Sequence, residues 1–291
     1  MPDTLGLMKT LMRETFARRR FLRQPEPMVM DGAEQVTAYA DSGRREDGVM
    51  AVSSLFHAAH ATLVIQGCAR VIDLGCGPAT QLVPIALLNP ETHFVGVELA
   101  ANMIDSAHDL LRASKVQNVE IVHGDITDLN GFADKSADGV VSTMTLHHLP
   151  SVEHLRACFK QIQRVLKPQG GFYLADFGRL KSPESVHFFA HMHESSLPSE
   201  VVQDYEYSLR AAFSVEEYQQ LAQEELVREA GLYQTFLAPF MVIIKSADRP
   251  IDLQLRSHLR SRRERLSPQF QRDLDDLRRF FRLGGLADNL F

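Results

Sequence analysis

The stretch Val71-Ile72-Asp73-Leu74-Gly75-Cys76-Gly77-Pro78-Ala79-Thr80 decides the fold that we predict for this chain. Residues 71–74 form a short, mostly apolar run, which is typical of a buried parallel strand. Gly75 and Gly77 follow at once, and such a pair lets a strand turn sharply into a helix while a ligand approaches the backbone closely. The stretch therefore predicts a strand–turn–helix unit with a ligand site at its turn.

Two residues of this stretch narrow the class of ligand. Thr80 stands where the third glycine of a dinucleotide-binding G-x-G-x-x-G fingerprint is expected. Asp73 places a carboxylate at the strand end, beside the turn. A turn that binds a phosphate is disfavoured by a neighbouring negative charge, whereas a cationic ligand is favoured by it. The pattern therefore indicates an amino-bearing, positively charged cofactor rather than a pyrophosphate.

Composition sets the broad class of protein. The chain has 291 residues and 45% hydrophobic content, which suits one α/β domain with extensions. A net charge of -6 argues against a general nucleic-acid or anionic-membrane binder. Cys68, Cys76 and Cys158 form neither a disulfide framework nor a zinc spacing, as expected in a reducing compartment. Without an apolar signal core or a run of ~20 apolar residues, we expect a soluble, cytoplasmic protein.

Strand and helix patterns alternate from residue 71 onward. Such alternation predicts a parallel sheet with crossover helices, and a final strand pair suits an antiparallel closure of that sheet. We predict strands at 71–74, 93–97, 119–123, 139–142 and 172–176, helices at 79–88, 101–113 and 152–166, a loop at 167–171 and an antiparallel pair within 233–247.

Three segments surround this core. Residues 1–66 are predicted to form a helical cap, broken by a loop over 24–48, and residues 178–213 to form a lid over the acceptor pocket. Residues 247–291 are predicted to be a helical extension that packs on the domain or on a second subunit. The first helix should bury a face of Leu5, Met8, Leu11, Met12 and Phe16, a capping box should start a helix at Ser214, and Ser267-Pro268 should start the last helix.

Five motifs stand in one order along the core. They are VIDLGCG at 71–77, VGVELAANM at 95–103, HGDITDL at 123–129, STMTLHHLP at 142–150 and VLKPQGGFYLADF at 165–177. Together they resemble the class I S-adenosylmethionine-dependent methyltransferases, in the small-molecule branch of natural-product and ubiquinone type. The resemblance covers roughly residues 67–246. It implies a doubly wound, seven-stranded, Rossmann-like α/β sheet whose last strand is antiparallel.

The resemblance also assigns residues to the cofactor, S-adenosylmethionine, and to its product S-adenosylhomocysteine. Asp73 would face the ammonium group, Glu98 would accept from both ribose hydroxyls, and Asp125 would accept from the adenine amino group. The backbone of the glycine turn would approach the methionine part, and the remaining residues would line the adenine or the sulfonium. These are Gly75, Cys76 and Gly77 at the turn, and Leu99, Met103, Ile126, Thr143, Met144 and His148.

The same resemblance implies a catalytic pair. A sulfonium methyl group is already an activated electrophile, so the enzyme must position the acceptor and manage its proton. His147 matches the first histidine of the LHH stretch in natural-product sugar O-methyltransferases, and Asp176 matches their ADF aspartate. His147 is thus the expected base, with Asp176 fixing its tautomer or binding the acceptor, and with His148 mainly structural.

Alternatives follow from other residues. His187, His191 and His193 could suggest a metal, but no acid or cysteine completes the set in sequence, so we expect core or pocket histidines and no metal. We predict methyl transfer to a small molecule, most simply to oxygen, by a protein without a nucleic-acid or membrane partner that could form a homodimer. A non-catalytic S-adenosylmethionine-binding regulatory or assembly protein and a nicotinamide-dependent oxidoreductase remain open.

Overall fold

A seven-stranded mixed sheet forms the centre of the protein in a computed structural model, which describes residues 4–18, 21–28, 32–226, 229–251 and 253–291. The strands lie in the order β3-β2-β1-β4-β5-β7-β6, where β7 pairs antiparallel with both β5 and β6. They are β1 (Arg70–Leu74), β2 (His93–Glu98), β3 (Val119–His123), β4 (Ala137–Thr143), β5 (Leu166–Asp176), β6 (Gly231–Gln234) and β7 (Val242–Lys245). The predicted doubly wound, seven-stranded α/β sheet is confirmed.

Helices cover both faces of this sheet. They are α1 (Thr4–Phe16), α2 (Ala33–Gly43), α3 (Val49–Ile65), α4 (Leu82–Leu88), α5 (Ala101–Ser114), α6 (Val152–Val165), α7 (Pro183–His191), α8 (Ser199–Ala211), α9 (Val215–Glu225), α10 (Leu253–Arg265) and α11 (Pro268–Leu283), with 3-10 turns at Leu146–His148 and Glu194–Ser196. One apolar core lies under α3, α4, α5 and α11, and a second under α6 and α9.

The order of the strands places a ligand site at one edge. β1 pairs with β2 on one side and with β4 on the other, all parallel, so the chain reverses its winding direction between β1 and β4. In such sheets ligands bind beyond the carboxyl ends of the strands at this reversal. The glycine turn after β1 and the loops after β2 and β4 therefore meet at one edge of the sheet.

Two predicted boundaries in the core were wrong. The first helix begins at Leu82 rather than at residue 79, which puts Pro84 in its first turn, where a missing N–H costs no intrahelical hydrogen bond. The predicted loop at 167–171 lies inside β5. Its extra residues are absorbed by a register shift, because Leu166 pairs with Ala137 whereas Gly171 pairs with Gly139. The proline and glycines there mark a bulge rather than a turn.

The N-terminal prediction was partly wrong. α2 occupies much of the segment that we expected to be a loop. α1 is a helix as predicted, but its buried face is different, because Leu7 and Leu11 pack against the lid. Of the predicted face, the side chains Leu5, Met8, Met12 and Phe16 are exposed.

The C-terminal helices pack on the domain, which is one of the two arrangements that we predicted. Phe281 of α11 is fully buried and stacks on Phe56 of α3 with ring centroids 5.1 Å apart. The helix starts after Ser267 and ends before Gly284, its C-cap, and Ser214 forms the predicted capping box with Glu217. Among the described residues, no helix combines the length and the apolar character that a bilayer-spanning segment needs.

Candidate active site

A cavity of about 360 Å³ lies at the carboxyl edge of the sheet. Its floor is formed by the ends of β1, β2 and β4, and its walls by α2, α3, the lid helices α7 and α8, and α11. Of the fourteen residues predicted for the site, twelve line this cavity: Gly75, Cys76, Gly77, Glu98, Leu99, Met103, Asp125, Ile126, Thr143, Met144, His147 and His148. Asp73 and Asp176 do not line it.

The backbone of the turn after β1 requires glycine at two positions. Gly75 and Gly77 have φ values of +67° and +52°, which favour glycine. A Cβ on Gly75 would lie 2.0 Å from Thr145 Cγ2, whereas a Cβ on Gly77 would meet nothing within 4 Å. The reason expected for both glycines, close approach of a ligand, therefore suits Gly77, while Gly75 is required by its neighbour Thr145.

Glu98 ties β2 to the glycine turn. Its Oε2 accepts from Gly77 N at 2.9 Å, and its Oε1 accepts from Leu99 N at 2.9 Å and from Ala100 N at 2.8 Å. A carboxylate offers about four acceptor sites, so these bonds leave one for a ligand. The predicted bonds from Glu98 to both ribose hydroxyls would use more than this one site, and that role of Glu98 stays a prediction.

Asp125 follows β3 and faces the same cavity. Its Oδ1 accepts from Thr127 N at 2.7 Å and from Thr127 Oγ1 at 2.8 Å. Because both bonds use Oδ1, the orientation of the carboxylate is fixed while Oδ2 remains for a ligand. Met103 is buried beside Tyr39 in a small apolar cluster on the adjoining wall. A flat group with polar edges could pack on Met103 and Tyr39 and donate a hydrogen bond to Asp125 Oδ2.

Asp73 lies beneath the turn. Its side chain is 2% exposed, and burial followed by the nearby charge of Glu98 raises the pKa of Asp73 to about 7. A buried carboxylate next to another acid is destabilised in its charged form, and a cation would relieve that cost. Asp73 would therefore favour a cationic group in the cavity, although its own side chain does not line it.

His147 and Asp176 form a buried pair at the rim of β4 and β5. His147 Nδ1 lies 2.6 Å from Asp176 Oδ1, and the backbone N of His147 donates to Asp176 Oδ2 at 2.9 Å. Burial alone would lower the pKa of His147, but the charge and hydrogen bond of Asp176 together with Glu26 outweigh it and raise that pKa. Asp176 thus fixes the ring orientation and the tautomer of His147.

Glu26 is a third member of this group, which the sequence reasoning missed. Its Oε1 lies 3.3 Å from His147 Nε2, on the side opposite Asp176, and 3.3 Å from His148 Nδ1. Burial raises the pKa of Glu26 to about 7, although His147 lowers it. Both nitrogens of His147 therefore face a carboxylate. The acid lies between Pro25 and Pro27, outside any periodic pattern, and carried no sequence signal.

His148 is held differently. Its Nδ1 lies 3.3 Å from the carbonyl oxygen of Pro27, which can only accept. Burial, with the neighbouring His147, lowers the pKa of His148 to about 3, so the ring is neutral and carries its proton on Nδ1.

Arg23 fastens the N-terminal segment to the loop that carries His147. Its Nη2 donates to the carbonyl oxygens of His147 and Leu149 at 2.8 and 2.6 Å, and its Nη1 donates to Pro150 O at 2.8 Å. Its Nε donates to Ala211 O at the end of the lid helix α8, at 2.5 Å. One guanidinium therefore satisfies four backbone acceptors and joins the N-terminal segment, the end of α8 and the loop that carries His147.

We expect Arg23→Ala to lower the free energy of unfolding by about 2–4 kcal/mol, because four carbonyl groups would lose their donor. Urea denaturation followed by circular dichroism measures this. Arg112→Ala is the matched control: its exposed side chain pairs with Asp109 one helical turn away, and the change should stay within about 0.5 kcal/mol. Equal midpoints for the two variants would contradict the role given to Arg23.

The acceptor side of the cavity is mostly apolar. Phe189 and Met192 contribute from the α7 region and Tyr205 from α8, within the segment 178–213 that we predict to be a lid. Leu277 and Phe280 of α11 also line it, although we expected only the cap and the lid to do so. Helical spacing predicts one buried face on α11 that includes Leu277 but not Phe280, and it does not distinguish a cavity wall from a packed core.

Two groups of three side chains, within the described ranges, converge closely enough to hold a metal ion. One is Glu26, His147 and His148, and the other is His187, His191 and Glu206. The premise that no acid completes the lid histidines was therefore wrong, because α8 brings Glu206 to them. His193 is not a member of that group.

Comparison with known proteins gives a consistent result. The sequence profile of a family described as a methyltransferase domain matches residues 66–231. The chain is 28% identical over 120 residues to a demethylmenaquinone methyltransferase of Listeria welshimeri, covering 41% of this chain and 49% of the relative. It is 29% identical over 164 residues to the 27-O-demethylrifamycin SV methyltransferase of Amycolatopsis mediterranei, covering 56% and 53%. The chain thus spans about half the length of these relatives.

Among solved structures, a SAM-dependent methyltransferase from Aquifex aeolicus superposes with a TM-score of 0.52 at 13% identity. The match covers 74% of this chain and 98% of that one. At this identity the likeness concerns the fold alone.

Proposed function

The chain belongs to this methyltransferase-domain family of class I, S-adenosylmethionine-dependent enzymes, and we propose that it methylates an oxygen atom of a small, largely apolar acceptor. The observation that carries the choice of oxygen is the His147–Asp176 pair at the rim of the cavity. A hydroxyl acceptor must lose a proton during transfer, and a buried, oriented imidazole suits that task. The name of the rifamycin relative specifies a methylated oxygen, which supports the same choice.

The cavity fits the cofactor. Open space beyond Gly77 would admit its methionine part, Glu98 and Asp125 each retain an acceptor for its sugar and base, and Asp73 supplies a negative charge beneath its ammonium. When bound, S-adenosylmethionine supplies an activated methyl group whose bond to sulfur breaks as the new bond to the acceptor oxygen forms. The chain itself positions the acceptor, excludes water and holds the departing proton.

His147 would take that proton at Nε2 while Asp176 keeps Nδ1 protonated. Because Nε2 lies 3.3 Å from Glu26 Oε1, the acceptor hydroxyl must displace this carboxylate contact. The neutral imidazole is the active form. Since the pKa of His147 lies above its usual value, turnover should rise with pH through that raised pKa.

The apolar walls set the acceptor class. Phe189 stacks on Phe240 with centroids 4.3 Å apart, and Phe280 and Leu277 close the same side of the cavity. An acceptor with an apolar body and a hydroxyl directed at His147 fits this lining. We therefore propose a small molecule rather than a nucleic acid as the acceptor. The homodimer stays a prediction.

Turnover tests the proposal directly. The protein is incubated with labelled S-adenosylmethionine and a panel of apolar phenols, hydroxyquinones and aliphatic alcohols, and the methylated atom is identified by NMR. Formation of an O-methyl product supports oxygen as the acceptor atom. Methylation only at carbon or nitrogen would show that the acceptor atom is wrong, and tight S-adenosylhomocysteine binding without any turnover would favour the non-catalytic alternative.

Cofactor binding should depend on pH through Asp73. The pKa of Asp73 is raised to about 7 without a ligand, so below pH 7 the carboxyl is protonated and must release a proton before it favours an ammonium group. Calorimetry should therefore show S-adenosylhomocysteine affinity falling by up to about tenfold per pH unit below pH 7 and levelling off above it. Asp73→Asn should bind more weakly at pH 8 and lose this slope; a parallel slope in the variant would contradict the assignment.

A further inference from the structure

The geometry points to a divalent transition-metal site in the lid, formed by His187, His191 and Glu206, for an ion of the Zn²⁺ type. The two histidines lie one turn apart on α7, and Glu206 approaches from α8. The site is separate from the catalytic rim and does not depend on the proposed reaction.

The three donor atoms have the spacing that a metal requires. Glu206 Oε2 lies 3.0 Å from His191 Nε2 and 3.7 Å from His187 Nδ1, and all three atoms lie within 4.8 Å of one another. Ligands on a tetrahedral zinc ion with bonds of about 2.0–2.1 Å are about 3.3–3.4 Å apart, and the two observed distances bracket that value. Small side-chain movements would bring both nitrogens and the oxygen to bonding distance, with water completing the tetrahedron.

Neighbouring side chains orient these donors. His191 Nδ1 lies 2.8 Å from Glu194 Oε2, the outer carboxylate partner that metal-binding histidines usually have. Arg210 holds the other oxygen of Glu206, donating to Oε1 from Nη2 at 2.6 Å and from Nε at 3.1 Å, so that Oε2 faces the imidazoles. Glu194 and Glu206 carry two negative charges against the one positive charge of Arg210, which favours a cation once the histidines have released their protons.

The rim group of Glu26, His147 and His148 is less suited to a metal. There His148 Nδ1 carries a proton and donates a hydrogen bond to the carbonyl oxygen of Pro27 at 3.3 Å, so this nitrogen has no lone pair for an ion. In the lid, by contrast, His187 Nδ1 and both ring nitrogens of His191 face carboxylate oxygens.

An ion at this site would join the two lid helices. α7 carries Phe189 and Ala190 and α8 carries Asp204, Tyr205 and Ser208, all of which line the cavity. Metal occupancy would therefore fasten the lid over the acceptor pocket and stabilise residues 183–211 against opening.

Zinc titration of the full chain, freed of any histidine tag and treated with chelator, tests the site. We expect one Zn²⁺ per chain by calorimetry and a tetrahedral Co²⁺ spectrum, both lost in His187→Asn/His191→Asn. Glu194→Gln should weaken binding by about 10–100-fold. His154→Asn is the matched control, because His154 contacts Ser151 away from the lid, and it should bind like the wild type.

Hydrogen exchange supplies the second measurement. Zn²⁺ should slow exchange in residues 183–211 of the wild type and leave the double variant unchanged. The proposal is overturned if the double variant binds Zn²⁺ as tightly as the wild type, if the wild type binds none, or if His148→Asn abolishes binding while the lid variant retains it. Since the double variant leaves the cavity lining intact, loss of zinc binding with normal S-adenosylhomocysteine affinity excludes misfolding as the cause.

Discussion

A Gly75→Ala variant should lose about 100-fold in affinity for S-adenosylhomocysteine, equivalent to about 2.7 kcal/mol, and should also be less stable. The added Cβ would lie 2.0 Å from Thr145 Cγ2 and 2.8 Å from Thr145 Oγ1, so the turn and the loop after β4 must move apart. The φ of +67° adds about 1–2 kcal/mol of strain for any residue with a Cβ, and overpacking adds about 1–3 kcal/mol.

Calorimetry with S-adenosylhomocysteine and urea denaturation measure the two effects. Gly131→Ala is the control, because a Cβ there meets nothing within 4 Å and its φ is ordinary. The double variant Gly75→Ala/Thr145→Ala removes the closest clashing atoms and should recover part of both losses while the φ strain remains. If the double variant is no better than Gly75→Ala alone, the steric explanation fails.

The residues at the carboxyl edge of the sheet could be brought into one cavity from the sequence because they follow strand ends. Glu98 is the last residue of β2 and Asp125 lies two residues after the end of β3, and parallel strands bring their carboxyl ends to one edge. The glycine turn after β1 marks the same edge of the sheet. Local pattern and one rule of sheet topology were therefore enough to bring Gly75, Glu98 and Asp125 to one cavity, although neither revealed that backbone amides already bind Glu98.

The acceptor side could not be predicted in the same way. Arg23 and Glu26 lie in an extended segment interrupted by prolines, and their positions depend on contacts with residues more than a hundred positions away. Glu206 meets His191 only because α7 and α8 pack together, and periodicity does not specify which helix faces which. Phe280 reaches the cavity from the last helix for the same reason. The acceptor side of the cavity therefore depends on long-range packing rather than on local propensity.

Asp176→Asn should reduce kcat by about 10²–10⁴-fold while leaving the affinity for S-adenosylhomocysteine nearly unchanged. Asp176 accepts from His147 Nδ1, from the backbone N of His147 and, at 2.6 Å, from Phe177 N, and it does not line the cavity. An amide NH₂ in place of one oxygen would oppose a donor at Nδ1. It would also remove the negative charge that raises the pKa of His147 and move the proton to Nε2, where the acceptor must deliver its own.

Single-turnover rates across pH and equilibrium binding separate this effect from damage to the fold. The rise in rate with pH should shift to lower pH in Asp176→Asn, because without the carboxylate charge burial lowers the pKa of His147. Asp138→Asn is the matched control: Asp138 accepts from Arg70 N at 3.0 Å and from Lys167 at 2.7 Å, away from the cavity, so kcat should be retained. Wild-type turnover in Asp176→Asn with an unshifted pH profile would remove His147 as the proton acceptor, and the proton would then have to leave through solvent or through Glu26.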